Sequence, residues 1–357
     1  MNAIGSTPTL RIEQQETVHY DLNLNPLGVP GSVKRAIEEN MYGIGQYPNI
    51  YYDKLKAAIA SHCGCSEGRI VLRSSSSDLI RLFLGMHRPK KVLLPVPCSS
   101  EYERAAGALG SEILHFHTEE TEDFRINVDA LIDVIDDDLS AVLIDNPSNP
   151  ASQLLTRDEI IRIADRCKET NTFLLIDEMF IEFVDDYEDI TAVPLTEKYE
   201  NLAVLRSVSK FFAVPGLRLA YGISGDNEGL KKITQTAPNF NISSLTAAAC
   251  TSMFYDMGYI ERSRSQVHTE RSLIVSAMAT SHSIRLYKPN ANFMLIRLPD
   301  SGPSAGEVCE AMEHQGMILR NCSDIRGLDN RYVRFCFMNP RQNDFMVNTL
   351  LGLVEKE

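Results

Sequence analysis

From about residue 70, short apolar runs alternate along the chain with stretches whose apolar residues recur every three or four positions. The runs are IVL (70–72), KVLLP (91–95), EILHF (112–116), AVLID (141–145), FLLID (173–177), LAVLRS (202–207) and LAYGI (219–223). Each is short, rich in branched side chains and bounded by polar or turn-forming residues, the pattern of a strand. Between them the spacing predicts helices: one running through Leu84, one from Glu101, one around Leu131, and one over 157–170 in which Ile160, Ile161 and Ala164 share a face. Apolar strands alternating with helices predict a buried, mostly parallel sheet. Past Asn241 the pattern changes to long helical stretches over about 243–280. The strands FMLIRL (293–298), MILR (317–320) and YVRFCF (332–337) follow, with a last helix from Gln342. The expected architecture is α/β: a mostly parallel central sheet in a large domain, joined by a helix to a smaller α+β domain. The expected boundaries are an N-terminal arm and part of the small domain over 1–41, the large domain over 42–257 and the small domain over 258–357.

A chain of 357 residues, 44% hydrophobic, has material for such a two-body core, which excludes a disordered or fibrous protein. No apolar run approaches the roughly 20 residues of a membrane span. The N-terminus lacks the basic start and apolar core of a signal peptide. Lys and Arg number 35 against 48 Asp and Glu, a net charge of −13 with no basic block, so phosphate-backbone binding to nucleic acid is not expected. The eight cysteines are scattered, and Cys63-Gly64-Cys65 has no second pair at zinc spacing; free thiols in a cytoplasmic protein are the expectation. His115-Phe116-His117 puts two imidazoles on one strand face without a third ligand, which reads as a half-exposed strand and not as a metal site. The acidic run Asp136-Asp137-Asp138 reads as a cap or solvated end of a helix.

In an open parallel sheet, ligands sit off the carboxyl ends of the strands. The polar residues there are Ser74–Asp78, Pro97–Tyr102, Asn146–Ser152, Asp177-Glu178 and Ser207–Lys210. No GxGxxG follows the first strand, and neither GxxxxGK[ST] nor GxSxG occurs, so dinucleotide, P-loop and serine-hydrolase readings fail. Two strand ends carry chemistry. FLLID stops on a carboxylate, Asp177. LAVLRSVSK places Lys210 just past a later strand, beside Ser207 and Ser209 and upstream of Arg218. An amine can form a Schiff base with an aldehyde cofactor, and a carboxylate facing a pyridine nitrogen keeps that ring protonated. Hydroxyls and a guanidinium suit a cofactor phosphate. Singly, a strand-end cap and a surface lysine explain Asp177 and Lys210; together, in this order on an α/β sheet, they point to pyridoxal 5′-phosphate.

The residues also carry a resemblance. DLNLNPLGVPGSVKRAI (21–37), QYPNIYYDKLKAAIA (46–60), DEMFIEF (177–183), VLRSVSKFFAVPGLRLAYG (204–222) and LRNCSDIRGLDNRYVRF (319–335) resemble fold-type-I pyridoxal-phosphate enzymes. The branch is the one holding histidinol-phosphate aminotransferase and threonine-phosphate decarboxylase, with the decarboxylase the more similar. The resemblance covers nearly everything from Asp21 onward. It implies that Lys210 is the Schiff-base lysine, Asp177 the partner of the pyridine nitrogen, and Asn149 a contact of the cofactor's 3′-oxygen. Ser207, Ser209 and Arg218 match the phosphate cup. Ser76 and Ser77 stand at the helix N-terminus that holds phosphate through backbone N–H groups. Tyr47 matches a tyrosine reaching the neighbouring subunit's cofactor, which implies a homodimer. Arg334 matches the arginine that forks the substrate α-carboxylate, and Asn25 a segment at the substrate mouth.

Three departures stand out, together with one position, Phe180, that matches the decarboxylase alone. Arg73-Ser74-Ser75-Ser76-Ser77-Asp78 replaces a glycine-rich phosphate loop. Phe180 stands where the aminotransferase has Tyr and the decarboxylase Phe. Ser99 stands where the family stacks an aromatic ring on the pyridine, which leaves the ring's outer face open. The decarboxylase's HGG segment, which grips substrate phosphate, has no counterpart before Asp21. Three functions fit: a decarboxylase of a small amino acid, an aminotransferase acting at the same Cα, and a non-catalytic dimer of the same fold. The distal group of a substrate is expected to meet Arg73, the N-terminal arm or the partner subunit.

Overall fold

The computed structural model describes residues 17–236 and 241–355; residues 1–16, the first part of the expected N-terminal arm, lie outside them. All seven apolar runs are strands of one sheet. Their order across it is Ile70–Arg73, Ala220–Ser224, Leu202–Ser207, Phe173–Asp177, Ala141–Asp145, Lys91–Val96 and Glu112–His117. Ala220–Ser224 runs antiparallel to both its neighbours, and the other pairs are parallel. Alternate residues feed opposite faces. Leu174, Ile176, Val142 and Val204 pack into one apolar layer, and Phe173, Leu175, Leu143 and Ala203 into the other. Gly222 is required at its place, because a Cβ there would stand 2.5 Å from the ring of Phe83.

Helix starts follow local hydrogen-bonding chemistry. Ser75 caps Ser76–His87, accepting from the Asp78 amide, and Ser99 caps Ser100–Ala108. Thr156 and Glu159 form a capping box on Arg157–Glu169. That helix buries Ile160, Ile163, Ala164 and Cys167, with Ile161 only half-buried, so its core face is turned slightly from the expected one. Those four residues stand at positions i, i+3, i+4 and i+7, the single face that a helix lays on a sheet.

Helix Met257–Met278 leads from the large sheet to a four-stranded antiparallel one, ordered Arg320–Asn321, Tyr332–Cys336, Phe293–Arg297, Arg285–Leu286. The run MILR divides. Met317–Ile318 pairs in parallel with Val18–His19, while Arg320–Asn321 pairs with Tyr332–Cys336. One apolar run serves two partners because Leu319 lies between the two pairings. The last helix, Pro340–Val354, starts two residues before the expected Gln342, capped by Asn339 with Pro340 at its first position.

Among the described residues no helix is long and apolar enough to cross a membrane, and no cluster of His, Cys, Asp and Glu could hold a metal. All eight cysteines are free thiols. Glu112–His117 is a half-exposed edge strand, with His115 bonded to Glu103. Asp136 closes a turn by accepting from the Asp138 and Leu139 amides, just past the helix Val128–Asp133.

Candidate active site

Asp145 and Asp177 end adjacent parallel strands in direct register. Both are buried, at 8% and 6% exposure. Burial pushes the Asp177 carboxyl up to about 6, against the opposing pull of hydrogen bonds from Tyr102 (2.9 Å to Oδ2) and the Met179 amide (2.9 Å to Oδ1). Burial pushes Asp145 to about 7, despite the Asn149 amide donating to it at 2.7 Å. The two carboxyls line a narrow crevice of about 70 Å³ together with Ser76, Ser99, Tyr102 and Phe180. No lysine or arginine lines it; the charged groups are Asp145, Asp177 and Glu101.

The strand ends are braced from behind. Glu178, next to Asp177, takes Nη2 of Arg206 at 2.9 Å, both side chains being almost wholly buried, and Arg206 also donates to Thr191. Because Arg206 precedes Ser207, this pair fixes the strand carrying Asp177 against the strand leading to Lys210. Losing one partner of such a pair costs about 3–5 kcal/mol.

Lys210 lies in the short helix Val208–Phe211, capped by Ser207, whose hydroxyl also meets that of Ser209 at 2.8 Å. Its Nζ donates to the Leu22 carbonyl at 2.8 Å. Burial, and then the charge of Arg334, lower its ammonium to about 8, so an appreciable neutral fraction exists near neutral pH. Asn25, expected at the substrate mouth, braces this turn instead. It is buried, its Nδ2 donates to the Phe211 carbonyl, its Oδ1 accepts from the Leu27 amide, and its own amide donates to the Lys210 carbonyl.

Arg334, on the small sheet's strand Tyr332–Cys336, reaches across to the large sheet. One Nη donates to Asn149 Oδ1 at 2.5 Å and the other to the Asp21 carbonyl at 2.6 Å, while Nε is buried without a partner. An ion pair with a nearby acidic residue would be the purely structural role for Arg334, but Glu178 belongs to Arg206 and Asp329 accepts from the Arg331 amide. Arg334 and Asn149 also line a second, larger cavity of about 500 Å³, which shares Ser99 and Asn149 with the crevice. Its outer wall includes Glu103, Arg320 and Arg326.

Other expected residues fall less centrally. Ser76 lines the crevice, but the Ser77 hydroxyl donates to Glu101 at 2.7 Å. Arg218 is exposed, with Nη1 on the Pro215 carbonyl at 3.1 Å. Tyr47 is 83% exposed in this single chain. Arg73 donates to the carbonyl of Leu72 and does not line the larger cavity. Sequence reasoning missed Tyr102, Asp145, Glu103, Arg320 and Arg326. Tyr102, Asp145, Arg320 and Arg326 sit inside stretches quoted above, but nothing in the residue order tells that they face the site.

A mixed seven-stranded sheet with paired carboxyls at its strand ends, a lysine on the following turn and a small antiparallel sheet over the cleft is the fold of type-I pyridoxal-phosphate enzymes. Residues 20–350 match the family described as aminotransferase class I and II, and the chain belongs to that family. A protein of Caldanaerobacter subterraneus subsp. tengcongensis, provisionally named a threonine-phosphate decarboxylase, is 34% identical over 94% of this chain and 89% of its own. The threonine-phosphate decarboxylase of Salmonella typhimurium is 28% identical over 99% and 95%. The crystal structure of histidinol-phosphate aminotransferase from Clostridium acetobutylicum superposes with a TM-score of 0.87 at 30% identity, covering 94% of this chain and 98% of that one.

The cofactor of this family is pyridoxal 5′-phosphate, and the residues present fit it. Two buried carboxyls without a cation facing them suit a protonated ring nitrogen. A partly deprotonated lysine suits the aldehyde.

Proposed function

We propose that the protein is a pyridoxal-phosphate-dependent enzyme acting at Cα of a small amino acid, with Lys210 as the lysine that carries the cofactor. Bound there, the cofactor supplies an electron sink for a bond broken at Cα. The observation that carries this reading is Arg334: a buried guanidinium with an unpartnered Nε and no carboxylate bonded to it, at the junction of crevice and cavity. Such a group calls for an anion, and an α-carboxylate is the planar, bidentate match. Asp177, fixed by Tyr102 and Met179, orients the ring nitrogen. Asn149, held by Arg334, would contact the cofactor's 3′-oxygen. Ser76, Ser207 and Ser209 are the candidates for the phosphate. Ser77 and Arg218 join them only by exchanging their present partners, Glu101 and Pro215.

The decarboxylase reading is favoured by the two decarboxylase-named relatives and by Phe180, with transamination as the second reading. The experiment has two parts. Borohydride reduction of the purified protein followed by peptide mapping should place the cofactor on Lys210, and an adduct on any other lysine overturns that role. Assay of CO2 against keto acid then separates the two reactions.

A homodimer is the proposed assembly, with Tyr47 completing the partner's site. The exposed Met41, Tyr42, Ile44 and Tyr51 around it support this, since a cluster of large apolar side chains at the surface marks an interface. Sedimentation of a monomer at micromolar concentration would overturn it. The division at about residues 41 and 257 into arm, large and small bodies is proposed on the same footing, and the free thiols support a cytoplasmic setting.

A further inference from the structure

We infer that Asp145 is a second positioning carboxyl of the cofactor site: it shares the strand-end crevice with Asp177 and, through the Asn149 amide, ties that crevice to Arg334 of the small body. The inference deepens the proposed function and rests on it, since it requires the cofactor to occupy the crevice beside Asp177.

The two carboxyls end neighbouring parallel strands at paired positions, so their side chains leave the sheet on the same side. The titratable groups that face Asp145 are Asp177 from the next strand, Tyr102 from the helix Ser100–Ala108 and Cys98 from the turn after Lys91–Val96. Glu101 lines the same crevice. None of these is a cation. Burial pushes the Asp145 carboxyl up to about 7 and the Asp177 carboxylate pushes it the same way, with the Asn149 amide pulling against both. Two carboxylates side by side without a cation resist being ionised together. Near neutral pH the empty crevice therefore holds a proton, and Asp145, the more basic of the two, keeps it. Once a cationic ring nitrogen stands beside Asp177 the missing positive charge is supplied. Asp145 then gives its proton to solvent, and both carboxyls are ionised.

Ionisation changes what Asp145 can hold. Its Oδ2 accepts from the Asn149 amide at 2.7 Å, and a charged acceptor holds such a donor about twice as strongly as a neutral one. Asn149 in turn carries Arg334 on its Oδ1 and lines both cavities. The same loop meets the small body again at Ser152, whose Oγ accepts the Asn290 and Ala291 amides, each at 2.9 Å. Its base is fixed by Asn146, whose side-chain amide bonds both ways with the Leu155 backbone, at 3.1 and 2.8 Å. Among these ties the Asp145–Asn149 bond is the one whose strength follows a charge that the cofactor controls. Loading the crevice therefore firms the seat on which Arg334 rests before any substrate arrives.

The test adds pyridoxal 5′-phosphate to the cofactor-free full-length protein and reads protons and loop protection, not turnover. Asp145→Asn keeps the shape and an acceptor but cannot be charged. Calorimetry in buffers of differing ionisation enthalpy counts the protons. At about pH 6.5 wild type should release about half a proton more than the variant, and the two should converge at about pH 8.5, where Asp145 has already lost its proton. Hydrogen exchange over residues 146–153 should slow on loading roughly tenfold more in wild type than in the variant. Equal proton release in the two proteins overturns the inference, and so does equal slowing, which makes the Asn149 contact merely structural. Should the variant not fold, wild type alone decides. The infrared C=O band of a protonated carboxyl should be present in the cofactor-free protein at about pH 6.5 and fall on loading, and a band that is absent or unmoved overturns the inference. A chain that takes up no cofactor takes the inference down together with the reading it rests on, whereas a cofactor fixed on Lys210 with equal proton release fells the inference alone.

Discussion

The Tyr102 hydroxyl donates to Asp177 Oδ2 at 2.9 Å, a bond between two buried side chains set 75 residues apart. Burial, and then the neighbouring carboxylate, push the Tyr102 phenol well above its usual range, so it stays protonated and donates its hydrogen to the carboxyl. The bond therefore favours the ionised form of Asp177, the form that a ring nitrogen requires. Tyr102→Phe should weaken cofactor binding by about tenfold, from the loss of a hydrogen bond to a charged group worth ~1.5 kcal/mol. A titration of cofactor absorbance measures it, and an unchanged dissociation constant would remove Tyr102 from the site's electrostatics.

The pH dependence of stability has a defined sign. Asp177 titrates near 6 in the folded chain, above the ordinary 3.8, so the folded state holds the proton more tightly than the unfolded one. Its contribution is greatest below about pH 4 and declines as pH rises through about 6, amounting to at most about 3 kcal/mol for this buried group. Asp145, raised to about 7, extends the same decline upward. Chemical denaturation of cofactor-free protein between pH 4 and 7 should show wild type losing stability relative to Asp177→Asn. Saturating cofactor should flatten that difference, because a cationic ring nitrogen favours the carboxylate. A difference that stays level without cofactor would mean that Asp177 is ionised in the folded chain throughout.

Lys210 and Arg334 are coupled by charge. The Lys210 ammonium is lowered to about 8 by burial and then by Arg334, and it is the neutral amine that adds to an aldehyde. The rate of cofactor uptake should rise with pH and level off above about 8. Arg334→Ala should move that midpoint upward, while cofactor attachment itself survives. The same variant should raise the KM of the true substrate by roughly 10- to 100-fold, for the ~1.5–3 kcal/mol of a hydrogen bond to a charged group. Stopped-flow reconstitution and steady-state kinetics read the two effects separately. A normal KM with a lowered melting temperature would place the α-carboxylate elsewhere.

Ser99 caps the helix Ser100–Ala108, accepting from the Glu101 amide at 3.4 Å, and lines both cavities. Ser99→Phe puts a ring where the family stacks one. It should tighten cofactor retention by roughly 0.5–1.5 kcal/mol while the lost cap costs about 1 kcal/mol of stability. Tighter binding with an earlier melt is the expected pair of results. Weaker binding would mean that Tyr102 and Phe180 already fill the space over the ring.

The amino-acid order determined the sheet, because seven apolar runs with turn residues between them have few ways to be buried except side by side. It also determined that Asp177 ends its strand and that Lys210 lies just past one, since polar residues at or soon after such a run gather at the sheet's edge. Tertiary structure decided what those residues meet. Asn25 sits in a run read as the substrate mouth, yet its amide braces the Lys210 turn, a contact across 186 residues that no local pattern encodes. MILR reads as one strand because hydrophobic period is blind to partners; folding gave its two halves to different sheets. The cavity wall was least legible of all. In the sequence Glu103 and Arg326 carry no signal of their own, and His115 reads only as part of a half-exposed strand. Only the approach of the small body to the large one brings the three together at 2.8 Å, and electrostatic pairing depends on that distance and on nothing that the order of residues states by itself.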